Sequence, residues 1–128
     1  MELVDRYAPV TDDPEAFRAA CARPLPTTVR VNGLKTTTAA ATDALADAGV
    51  GATPAVWSPT VLRLDTDAAG GTLPYYLGWI HGQEEVSCLP AHILDPQPGE
   101  TIVDLAAAPG GKATQLADLM DDTGTVIA

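Results

Sequence analysis

The sequence is short of cysteine, lysine, aromatic residues and long apolar runs, and each shortage closes a class of protein. Its two cysteines, Cys21 and Cys88, are too few for a disulfide-stapled scaffold and form no C-x-x-C pair. They read as buried or half-buried thiols of a reducing compartment, structural in role. Cys88 and His92 sit four apart on one helical face with His81 upstream, which could suggest a metal. A zinc site takes three or four ligands at recognisable spacing, so none is expected. No apolar stretch approaches the about 20 residues that span a bilayer. The opening Met1-Glu2-Leu3-Val4-Asp5-Arg6 lacks the basic region and apolar core of a secretory signal. The expectation is a cytoplasmic protein with no membrane partner.

Positive charge is scarce too. Seven Lys plus Arg face seventeen Asp plus Glu, a net charge of −10, and only Lys35 and Lys112 are lysines. Taken alone this argues against nucleic acid, because neutralising phosphates calls for a basic face. The acids are mostly Asp, however, and Ala and Thr abound. That composition resembles the bias of halophilic organisms such as salt-loving archaea, in which acidic surfaces stay hydrated in concentrated salt. The net charge then describes the solvent, and the few Arg and Lys carry the information about partners. With 46% hydrophobic and 19% charged residues, the chain can bury a core.

Up to about residue 80 the pattern is that of a small α+β unit with an antiparallel sheet. Asp13-Pro14-Glu15 starts a helix over 14–22. Thr28-Val29-Arg30-Val31-Asn32 alternates as a strand, with Val29 and Val31 on one face and Arg30 and Asn32 on the other. Thr36 to Thr38 cap a helix over 39–48, ended by Gly49. Short strands are expected over 54–58, 61–65 and 79–81, with a loop over 68–71. The aromatic residues Trp57, Tyr75, Tyr76 and Trp79 are expected to pack in the core rather than stack on bases.

From Glu84 the pattern changes. A helix over 84–94 is followed by the turn Asp95-Pro96-Gln97-Pro98-Gly99. Thr101-Ile102-Val103-Asp104-Leu105 suits a buried parallel strand. A small-residue turn over 106–111, a helix over 112–121 and a second apolar run over 125–128 complete the opening of a βαβ unit. The boundary falls between Gly78 and Glu84, giving a first domain over 1–80 and the incomplete start of a second over 81–128.

The turn Ala106-Ala107-Ala108-Pro109-Gly110-Gly111-Lys112 carries the chemistry. A parallel strand delivers it to the carboxyl edge of the sheet, where α/β folds bind ligands. Its small residues let a ligand approach the backbone, and the next helix offers free N–H groups and a positive dipole end, with Lys112 adding charge. The site suits a small ligand carrying a carboxylate or phosphate. A P-loop would need Gly and Ser or Thr where Ala106 and Ala113 stand, and the dinucleotide fingerprint G-x-G-x-x-G is absent. A glycine turn serving only tight strand-to-helix packing is the alternative.

The string from Pro98-Gly99-Glu100 through Asp104-Leu105-Ala106-Ala107-Ala108-Pro109-Gly110-Gly111-Lys112 resembles the first motif of the Sun/Fmu-type RNA cytosine-5 methyltransferases, D-x-C-A-A-P-G-G-K-T. Arg30-Val31-Asn32-Gly33-Leu34-Lys35 resembles that family's R-x-N-x-L-K segment, and Gly78 to Glu84 its G-x-x-x-x-Q-(D/E) entry to the catalytic domain. Ala106 and Ala113 depart from the usual Cys and Thr.

The resemblance implies an amino-terminal α+β domain, RRM-like or ferredoxin-like, followed by the start of a Rossmann-like methyltransferase domain. It implies S-adenosylmethionine as cofactor, held by Ala106, Ala107, Ala108, Pro109, Gly110, Gly111 and Lys112, and tRNA or rRNA as partner, with Arg30 and Lys35 as RNA contacts. In such enzymes one Cys thiolate adds to carbon 6 of the cytosine, carbon 5 takes the methyl group, and a second Cys helps release the product. Neither Cys21 nor Cys88 has the family's Pro-Cys context. The chain is therefore expected to be the amino-terminal portion of the enzyme, with no catalytic residue, inactive alone, and completed elsewhere or by a second chain. Two alternatives are a non-catalytic RNA-binding module or relic, and a methyltransferase of proteins or small molecules, which would not predict the R-x-N-x-L-K segment.

Overall fold

The computed structural model describes residues 2–128. The chain opens with α1 (Glu2–Tyr7), a single 3₁₀ turn (Ala8–Val10) and α2 (Pro14–Cys21). The expected cap is in place: the Asp13 carboxylate accepts from the N–H groups of Glu15 and Ala16 at 3.1 and 2.9 Å. It satisfies two of the donors that a helix start leaves without partners.

A four-stranded antiparallel sheet follows, built from β1 (Thr28–Val31), β2 (Ala52–Ala55), β3 (Ser58–Leu64) and β4 (Ile80–Gly82) in the order β2-β3-β1-β4. Between β1 and β2 runs α3 (Thr38–Asp47), capped by the Thr37 hydroxyl on the N–H of Ala40. Between β3 and β4 lie a 3₁₀ turn (Ala68–Gly71), where a loop was expected, and a short α4 (Leu73–Tyr76). This βαββαβ order is the ferredoxin-like arrangement with its second helix shortened. β4 belongs to this sheet through Arg30↔His81 and Val31↔Ile80. The first unit's sheet thus runs to Gly82, and a division after residue 80 cuts through β4.

The core lies between the sheet and α3, where Val29, Val31, Leu62 and Ile80 meet Ala41 and Leu45, all at most 2% exposed. Alternation along β1 is as the sequence reads, but all four of its residues are buried. Its second face, carrying Thr28 and Arg30, is covered by the second part of the chain.

Two expectations about this half are corrected. The run over 54–58 is a hairpin, not a strand: β2 and β3 flank a tight turn at Val56 and Trp57. The aromatic residues are also not core. Tyr76 is 77% and Tyr75 46% exposed, because α4 is too short to turn both rings inward. Trp57 stands on the hairpin tip, with its indole N–H on Glu85 at 2.7 Å and its ring edge-on to His92.

The second part holds α5 (Glu85–Leu94), β5 (Thr101–Val103), α6 (Gly111–Leu119) and β6 (Thr125–Ile127). β5 and β6 pair in parallel, Ile102 opposite Val126. Parallel pairing was expected; burial of the strand is a correction, since Val103 is 58% and Leu105 95% exposed. A parallel strand is buried only where neighbours and helices cover it on both sides, and β5 has one strand neighbour among the described residues. None of the described helices is long and apolar enough to cross a membrane.

Candidate functional site

Strand β5 ends at Val103, and Asp104 bends the chain. Its Oδ1 accepts the N–H of Ala106 at 2.9 Å, an Asx turn that sets the direction of the small-residue segment. Gly110 then takes φ 112° as the residue before α6, a conformation that glycine adopts without strain. The first helical bond runs from the N–H of Thr114 to the carbonyl of Gly110, so the N–H groups of Gly111, Lys112 and Ala113 have no partner inside the helix.

Ala106, Ala107, Ala108, Pro109, Gly111 and Lys112 form one wall of a cleft of about 260 Å³. His81, Gly82, Gln83, Glu84 and Ser87 form the other. Six of the seven residues singled out for a cofactor thus line a single cleft, and Gly110 shapes the turn behind it. The facing wall was not among the expected site residues, although Gln83 and Glu84 lie in a recognised motif. The missing signal was tertiary: pairing β4 with β1 turns the β4–α5 connection toward the turn. Asp104 was missed as well. Its Oδ2 is buried and has no hydrogen-bond partner.

Arg30 and Lys35 part company. Lys35 is exposed and donates to the carbonyl of Leu77 at 3.1 Å, the residue that follows the exposed Tyr75 and Tyr76 in the chain. Arg30 is 2% exposed, and as an RNA contact it is corrected. Its Nη1 donates to Asp118 at 2.9 Å, its Nη2 to the Thr114 hydroxyl at 3.1 Å and its Nε to Gln83 at 3.2 Å. That leaves no face for a phosphate. The network continues: Gln83 Nε2 donates to Gln115 Oε1 at 3.0 Å, and Gln115 Nε2 to the carbonyl of Cys88 at 2.9 Å. Burial pushes the Arg30 guanidinium below the ordinary arginine value, and Asp118 opposes that shift.

Cys88 is fully buried on α5, and burial pushes its thiol up from the ordinary value; Cys21 is exposed on α2. No group of three His, Cys, Asp or Glu side chains is placed to hold a metal among the described residues. A second, more apolar cleft of about 350 Å³ lies beyond Glu84, between Leu25, Pro26, Trp57, Val86 and Leu89. Glu85 borders it, held below the usual carboxylate range by Arg63 and the Trp57 indole.

Burial, with Arg30 nearby, holds His81 below the ordinary histidine value of 6.5. The folded chain keeps this ring neutral in a range where the unfolded chain protonates it. Stability is therefore full above pH 6.5 and falls as the pH drops toward the folded value. Urea unfolding at pH 7.5 and 5.5 is expected to show a smaller acid loss in His81→Gln than in the parent; equal losses would contradict it. Glu85 loses its contribution as the pH falls from the ordinary glutamate value of 4.5 toward its lower folded value, a separate window.

A ferredoxin-like unit joined to the opening of a parallel α/β unit, with a backbone-lined cleft at the junction, defines the fold class. Comparison with known proteins narrows it. A family model described as "Methyltr_RsmF/B-like, ferredoxin-like domain" matches residues 4–69, and one described as "16S rRNA methyltransferase RsmB/F" matches residues 91–128. The chain belongs to the RsmB/F family of RNA methyltransferases.

It is 37% identical to the tRNA (cytosine(49)-C(5))-methyltransferase of Pyrococcus abyssi over 131 aligned residues, covering 99% of this chain and 41% of that protein. The crystal structure of PH0851 superposes with a TM-score of 0.85 at 36% identity, over 97% of this chain and 29% of that one. NSun6 from Pyrococcus horikoshii, solved with SFG, shares the fold at a TM-score of 0.83 and 16% identity, over 96% of this chain and 56% of that one. The chain thus spans well under two thirds of these proteins.

Proposed function

We propose that this chain supplies one part of the cofactor cleft, and the auxiliary domain, of an S-adenosylmethionine-dependent RNA cytosine-5 methyltransferase acting on tRNA or rRNA. The observation that carries the reading is the cleft between the β4–α5 connection and residues 106–112. Its residues fit the cofactor. The alanine and glycine backbone admits a ligand closely, the unpartnered N–H groups at the start of α6 and Lys112 suit a carboxylate, and the orphaned Asp104 Oδ2 offers an acceptor to an amino or hydroxyl group. When bound, S-adenosylmethionine supplies an electrophilic methyl group on a sulfonium.

The residues present bind and orient; they do not attack. Cys88 is buried with its thiol held protonated, and Cys21 lines a different cavity with Asp5 and Arg18. The thiol chemistry is assigned to residues outside these 128, in the same enzyme or a second chain. Lys35 remains the proposed RNA contact, with the exposed Tyr75 and Tyr76, which precede its partner Leu77 in the chain, as stacking surfaces. The acidic composition supports a salt-rich cytoplasm as its setting.

Titration calorimetry of the 128-residue chain with S-adenosylmethionine tests the reading. Binding is expected, with Gly110→Ala about tenfold weaker because a Cβ at φ 112° is strained. No methyl transfer to tRNA or rRNA is expected. Absence of binding would overturn the cofactor assignment, and methyl transfer by the chain alone would overturn the assignment of the thiols.

A further inference from the structure

The polar network under the sheet joins the two parts of the chain, and its route leads to the cofactor turn. Arg30 on β1 donates to the Thr114 hydroxyl, and that hydroxyl donates to the carbonyl of Gly110 at 2.9 Å, with the Gly111 carbonyl at 3.2 Å. One buried side chain of the amino-terminal sheet is thus two hydrogen bonds from the residue that shapes the turn. The same guanidinium holds Asp118, one helical turn further along α6. Thr114 and Asp118 lie four apart on one helix face, and Gln115 between them is tied to Gln83.

An apolar contact here would let α6 slide or rotate with little penalty. A rigid planar fork that reads a hydroxyl and a carboxylate four residues apart accepts one register only. A shift of one residue moves the helix about 1.5 Å along its axis and turns it about 100°, which breaks every bond in the set. Space has been left for this geometry: a Cβ on Gly33 would lie 2.7 Å from Asp118 Oδ1. The facing wall is set by the same group, since Gln83 accepts from Arg30 Nε and lines the cleft.

We infer that Arg30 is a positioning residue: through Thr114, Asp118 and Gln83 it sets the register of α6 and hence the width of the cleft between residues 106–112 and the β4–α5 connection. The ferredoxin-like unit is then part of the mould of the cofactor site as well as a flanking domain. This rests on the cofactor reading for its functional meaning, but its structural content can be measured without ligand.

The test uses the 128-residue chain with Thr114→Val and Arg30→Lys. The first keeps the Arg30–Asp118 pair and removes only the hydroxyl; the second keeps the charge and loses the fork. In ¹H–¹⁵N spectra both are expected to displace the amides of Gly110, Gly111 and Lys112 while α3 amides stay in place. Calorimetry on the same folded samples is expected to show S-adenosylmethionine binding about tenfold weaker. Leu45→Val, a core change away from the network, destabilises without moving the glycine amides or the affinity, which separates positioning from general stability. Unmoved glycine amides in both variants overturn the inference whether or not the parent binds cofactor. Displaced amides in a parent that binds nothing support it and fault the cofactor reading instead.

Discussion

Arg30→Met is expected to lower the unfolding free energy by about 3–5 kcal/mol, measured by urea denaturation at pH 7. Arg30 and Asp118 form an ion pair with side chains 3% and 16% exposed. Removing the guanidinium leaves Asp118 charged and nearly dry, and leaves Gln83 Oε1 without its donor. Both penalties fall on the folded state alone. Arg30→Met with Asp118→Leu is expected to recover most of the loss, because a well-packed apolar pair needs no desolvation of charge. That recovery would show that the network is kept for geometry rather than for stability. A loss below about 1 kcal/mol in the single variant would mean that water reaches the pair, as it does in surface ion pairs.

The second large effect is expected at Gly124. It stands at φ 131°, and a Cβ built there lies 2.5 Å from the carbonyl oxygen of Glu100 and 3.3 Å from its nitrogen. The contact is with backbone, and that backbone cannot step aside: Glu100 O accepts the N–H of Thr125 at 2.9 Å, and the N–H of Gly99 donates to Thr123 O at 2.7 Å. Gly124→Ala is therefore expected to open the β5–β6 pair at about 3 kcal/mol or more, combining the strained φ with lost ladder bonds. Hydrogen exchange should show this locally. The amides of Asp104 and Thr125, bonded to Ile127 and Glu100, lose protection while those of β1 and β3 keep theirs. Unchanged protection at Asp104 would show that the loop accommodates a methyl group.

Most of the elements were legible because their signals are local. Asp13 and Thr37 are caps whose side chains reach N–H groups two or three residues on, so the helix starts could be placed from the string alone. The turn at Val56 and Trp57 was read as part of a strand because it lacks the Gly or Asn that usually marks such a turn. The exposed tyrosines of α4 were misjudged because burial of a ring depends on what packs over a short helix, not on the ring.

The small-residue turn was legible for a different reason. Small residues leave the backbone open to close approach, so the composition of residues 106–112 is itself the signal of a cleft wall, and six of the seven line the cleft. The opposite wall carries no such mark. His81, Gln83 and Ser87 join the site only because β4 pairs with β1, and a strand pairing between segments some 50 residues apart leaves no trace in local pattern.

Arg30 shows the division most clearly. By itself the sequence determined that Arg30 points away from Val29 and Val31, since side chains alternate along a strand, and the small number of cations made each one informative. Whether that second face meets water or protein is decided by what docks on it. Only the tertiary structure, by laying α5 and α6 across the sheet, turned an expected phosphate contact into the buried fork that joins the ferredoxin-like sheet to α6. Alternation is a property of the backbone; burial is a property of neighbours.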